Sequence, residues 1–129
     1  KKQHALLLPL GLMVISDLVI GLHSTILFTW GSILLIAFIG TKMRDKRDIK
    51  LFLISGISSA LLFFILTNFG AWLTMYPPTI EGLRACYIAA IPFFRMSLMS
   101  TIIYCGIFYG IYEMTAQLIS GTKLADAVL

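Results

Sequence analysis

Four apolar runs, at about 5–22, 25–41, 51–67 and 98–120, dictate what this chain can fold into. Each is close to the roughly 20 residues that an α-helix needs to cross the hydrocarbon core of a bilayer. The stretches between them are too short for a soluble domain. The runs therefore predict one all-α domain over 1–129, a polytopic bundle of four transmembrane spans. Composition points the same way: 59% of the residues are hydrophobic and 12% are charged, where soluble domains carry about a quarter of charged residues. Mean hydropathy is +0.94. Because the sequence opens on Lys1 rather than methionine, a processed or incomplete chain is expected, with room for an upstream helix.

The net charge of +4 is unevenly spread. Lys42, Arg44, Lys46, Arg47 and Lys50 crowd one loop, without the interleaved aromatics of a nucleic-acid surface. Beside membrane helices such a cluster is expected to contact anionic lipid headgroups. Asp45 and Asp48 in the same loop read as partners for the neighbouring bases, since hard-cation loops need more acids and a glycine turn. With four spans, Lys1, Lys2, this loop and Lys123 share one side, against Arg84 and Arg95 on the other. The excess of Lys and Arg on cytoplasmic faces then predicts both termini in the cytoplasm.

Charged and small residues inside the runs are candidates for buried contacts. Asp17 lies in the first run, about 18 Å along its helix and toward the far side. It reads either as a buried acid paired with Arg84 or Arg95, or as an interface-level residue at the helix exit. Ser55, Gly56 and Ser59 form overlapping small-residue spacings that bring helices together. Gly106, Gly110, Glu113 and Gln117 fall on one face of the last helix, with Tyr104, Phe108 and Tyr112 on a second; the glycine face is expected to be the buried one.

The stretch 65–97 interrupts this regularity. Asn68, Gly70, Trp72, Tyr76 and the Pro77-Pro78 pair read as the exit of the third span through a headgroup zone. Thr79 is a good N-cap and Glu81 suits the first turn of a helix. That helix, at about 80–91, is too short to span before Pro92, so it reads as interfacial or as a half-helix. Asn68, Trp72, Tyr76, Arg84 and Arg95 then form a cap over the outer ends of the spans, placed for a ligand or a neighbouring subunit.

No catalytic constellation is visible, neither a metalloprotease nor a nucleophile motif, and no two carboxylates share a depth. His4 and His23 are too peripheral to ligate haem or a pigment. Cys86 and Cys105 read as small buried hydrophobes rather than a disulfide or metal site. The chain is expected to be non-enzymatic, without metal or cofactor.

The segment TNFGAWLTMYPPTIEGLRACYIAAIPFFR, with the upstream PLGLMVISDLVIGLHS, resembles an uncharacterised family of bacterial multi-pass membrane proteins. That family is similar in architecture to the S components of energy-coupling-factor transporters, which bind a small molecule and dock on a transport module. The resemblance implies a bacterial inner-membrane location and a substrate-binding transport subunit. The family pattern has an Asn after the arginine and a Gly-Asp in the next helix, where this chain has Met96, Ser100 and Thr101. The alternative is an accessory or structural subunit packed on a larger respiratory, photosynthetic or transport complex. A polar outer pocket would mark the first reading and a solid, partner-covered bundle the second.

Overall fold

The computed structural model describes residues 4–43 and 48–120. Four α-helices make up these residues: α1 His4–Ile20, α2 Ile26–Met43, α3 Ile49–Met75 and α4 Ile80–Ile119. At about 1.5 Å per residue α3 is roughly 40 Å long and α4 roughly 60 Å. Both are long and apolar enough to cross a membrane, whereas α1 and α2 are shorter apolar helices. The helices pack as a row, α1 on α2, α2 on α3 and α3 on α4.

Two expected boundaries do not exist. α3 runs through Asn68, Gly70 and Trp72 to Met75 rather than ending near 67. Asn68 stays helical because its side-chain amide donates back to the Phe64 carbonyl at 2.7 Å. The short helix over 80–91 and the span over 98–120 are likewise one helix, which passes through Pro92. Proline there withholds the hydrogen bond that the Ile88 carbonyl would accept. Packing on α3 bridges that defect: the Phe64 ring lies 5.6 Å from Tyr87 and 4.5 Å from Phe94, one contact on each side of the proline.

The caps are built as their residues dictate. Asp48 caps α3 by accepting from the Lys50 amide at 2.8 Å. Thr79 caps α4 by accepting from the Gly82 amide at 3.1 Å. Gly21, at φ 116°, makes the turn between α1 and α2 in a conformation that side chains resist.

Burial is concentrated toward one end of the helix axes. Asp17, Thr29, Ser32, Gly70, Gly82 and Cys86 are the buried residues among those described, and all lie near the turns at 21–25 and 76–79. At this end the Asp17 carboxylate accepts from the Trp30 indole N–H at 2.6 Å, tying α1 to α2. Phe28 of α2 sits where a side chain on Gly70 would have to go, and the Pro77 carbonyl oxygen blocks the same space at Gly82. Farther along, a Cβ on Gly56 would stand 2.7 Å from the Cys105 sulfur. Gly56 therefore does let α3 approach α4 closely, but Gly106 and Gly110 face open space and are exposed. Among the described residues nothing provides the expected burial of these two glycines.

These contacts set two expectations for unfolding measured in detergent. Gly70→Ala and Gly82→Ala should each cost about 1–3 kcal/mol through overpacking, while Gly106→Ala should change stability by less than about 0.5 kcal/mol. Trp30→Phe should cost about 1–3 kcal/mol by leaving the Asp17 carboxylate unpaired. A double-mutant cycle of Asp17→Ala with Trp30→Phe should show coupling, and one with Arg84→Gln or Arg95→Gln should show none.

Candidate functional site

The five cap residues separate into two groups. Trp72, Tyr76 and Arg84 cluster around the turn from α3 to α4. The Trp72 indole donates to the Pro77 carbonyl at 3.0 Å, and the Tyr76 amide closes α3 on the Trp72 carbonyl at 3.3 Å. Trp72 is thus bonded to its own turn. Arg84 is exposed in the opening turns of α4.

Asn68 and Arg95 lie deeper. The Asn68 carbonyl oxygen takes the Cys86 S–H at 3.4 Å, and the Ile65 carbonyl takes the Tyr87 hydroxyl at 2.8 Å. These bonds fix the antiparallel register of α3 and α4. Arg95 is eleven positions beyond Arg84, about 16 Å farther along α4. It adjoins Phe94, whose ring packs on Phe64 near the midpoint of α3. Arg95 is exposed. The two arginines therefore do not share a level, and neither joins Asp17. Among the described residues they make no salt bridge, because the α1–α2 pair that holds Asp17 occupies the other end of the row.

A cleft of about 220 Å³ opens between α3 and α4 at the same depth. Phe63, Phe64, Phe93 and Phe94 supply most of its wall, with Thr67, Asn68 and Ser97 as the polar part. Thr67 already donates to the Phe63 carbonyl at 2.7 Å and Asn68 to Phe64, so these side chains offer acceptors more than donors. Arg84 does not line the cleft. Its rings, rather than the cap, are what the sequence pattern leaves unmarked: phenylalanines at helical spacing look the same facing a cleft, a lipid or a core.

The other candidates fall as follows. Ser55 donates to the Leu51 carbonyl at 2.7 Å, and Ser59 is half-buried beside Gly56. Glu113 is half-buried near the Tyr109 hydroxyl, and Gln117 is exposed. Tyr104 stacks on Phe108 at 6.3 Å on the outside of α4. His23 is exposed, with its Nε2 3.5 Å from the Thr29 hydroxyl. Cys86 and Cys105 are free thiols. Of the basic cluster, Lys50 is exposed at the start of α3, while Arg44, Lys46 and Arg47, with Asp45, lie outside the described residues. Among the described residues no three of His, Cys, Asp and Glu converge where a metal ion could sit.

No curated protein and no solved structure matches the chain. The profile of a family of unknown function, DUF6580, matches residues 1–123, nearly the whole sequence. The chain belongs to this family of unknown function.

Proposed function

We propose that this protein is a non-enzymatic, multi-pass subunit of the membrane that works by assembling with other membrane proteins. The observation that carries the reading is the inverted distribution of apolar surface. Cys86 is the one buried hydrophobic residue among those described, while large apolar side chains are exposed along all four helices. A water-soluble protein seldom exposes apolar patches beyond a few hundred Å². Lipid and partner helices accept such a surface without cost. Both α3 and α4 have the length to span, and a short helix such as α1 or α2 is accommodated by local thinning of the bilayer or by flanking residues that reach the interface. The placement of basic residues supports cytoplasmic termini, with the loop at 44–47 on the same side.

A second reading, an S-component-like subunit that binds a small molecule, is favoured by the cleft beside Asn68. Its aromatic wall and few polar groups suit a largely apolar ligand. The open row of helices supports it less than it supports assembly, because the cleft is lined by neither Trp72 nor Arg84.

Alkaline carbonate should leave the native chain in the membrane pellet. In a variant with Cys86 and Cys105 replaced by alanine, a cysteine at Ser24 should react with an impermeant maleimide on intact cells, and one at Lys46 only after permeabilisation. Release by carbonate, or labelling of the Lys46 position from outside, overturns the proposed placement. The second reading predicts a co-purifying small molecule in native mass spectra, lost in Ala60→Leu, which fills the cleft.

A further inference from the structure

α4 carries its charges on one stripe. Arg84, Arg95, Gly106 and Gln117 follow one another at eleven-residue intervals, three turns plus about 20° each, so they stay on one side of a straight helix. Glu113 is eighteen positions past Arg95, five full turns, and Gly110 is one turn past Gly106. α3 packs on another side, the one bearing Cys86, Phe94, Thr101, Cys105 and Tyr109. The stripe therefore faces outward, and Arg84, Arg95, Gly106, Gly110 and Gln117 are all exposed.

Arg95 is the residue on this stripe that needs an explanation. It sits near the midpoint of α3, and between Arg84 and Glu113 it is the one charged residue of α4. The acids of the described residues are all engaged elsewhere or out of reach. Asp17 holds Trp30 at the far end of the row, and Asp48 caps α3. Glu81 is about 21 Å away along α4 and Glu113 about 27 Å.

We propose that the Arg95 stripe is a docking surface for a membrane helix of a different protein that carries an Asp or Glu at the depth of Arg95. This rests on the membrane placement proposed above. Charge complementarity selects the occupant. A guanidinium on this apolar face, level with the middle of α3, pairs best with a carboxylate at the same level on a neighbouring helix. A second copy in the same orientation would bring Arg95 against Arg95, so like charges exclude it. Gly106 and Gly110, about 16 and 23 Å farther along the stripe, leave room for the partner backbone to come close.

Photo-crosslinking in native membranes tests this, with benzoylphenylalanine at Ile91 or Met99, one turn on either side of Arg95, and at Ile54 as an outward-facing control on α3. The expected product at 91 and 99 is a peptide from another membrane protein with an Asp or Glu within about a turn of the linkage. Arg95→Gln should lower its yield about tenfold or more, with carbonate-resistant insertion unchanged. Arg95→Glu combined with the partner's acid changed to Arg should restore it. Crosslinks to lipid alone, to a second copy of this chain, or to a helix without an acid overturn the proposal, as does a yield that Arg95→Gln leaves unchanged. A native chain that carbonate releases overturns the membrane placement instead.

Discussion

In the proposed membrane setting no water reaches the middle of a helix, so each polar group along it needs a partner in protein. Seven hydroxyls here meet this constraint by turning back one turn. Thr29 donates to Thr25, Ser32 to Phe28, Ser55 to Leu51, Thr67 to Phe63, Thr74 to Gly70, Thr101 to Ser97 and Thr115 to Ile111. Such bonds satisfy the side chain without linking helices. Among the described residues, polar bonds that do join one helix to the next are those of Asp17 with Trp30, Cys86 with the Asn68 carbonyl and Tyr87 with the Ile65 carbonyl. They lie toward the end where Gly70 and Gly82 permit the closest approach. The row is pinned there, and aromatic and small-residue packing carries the contact of α3 with α4 from that end onward.

This division explains the survival of α4 through Pro92. A proline inside a helix costs about 3 kcal/mol or more in isolation. The Tyr87 hydroxyl bond and the Phe64–Phe94 contact hold the turns before and after it on a single neighbour. The tertiary contact then overrides the local tendency to break.

The four apolar runs made an all-helical chain legible in the sequence, because hydrophobic length is a property of consecutive residues. Thr79 and Asp48 were similarly local, since a cap acts within three residues. The helix through Asn68 and Pro92 was not legible, because its cause lies in rings on a different helix. Trp30 was missed as the partner of Asp17, though a signal existed: the two residues stand symmetrically about the turn at 21–25, which places them side by side in an antiparallel pair. The exposed Gly106 face marks the opposite limit. Spacing reveals that residues share a face, but nothing in the spacing says which chain covers it.

Asp17 and Arg95 pose the same problem, a charge within an apolar helix, and the chain resolves them differently. Insertion scales put the cost of such a charge near the centre of a bilayer at about 3 kcal/mol, and simulations put it higher. Asp17 lies near the end of α1 and has an indole donor waiting on the next helix, so its carboxylate is satisfied by a fold of two helices alone. Arg95 lies sixteen residues into the forty-residue α4, on the side that no other helix of the row covers. The charge within α1 is therefore satisfied inside the described fold. The charge on the outer side of α4 meets no acid among the described residues, and in the proposed membrane setting that asymmetry, more than the cleft or the aromatic turn, is what the proposed docking rests on.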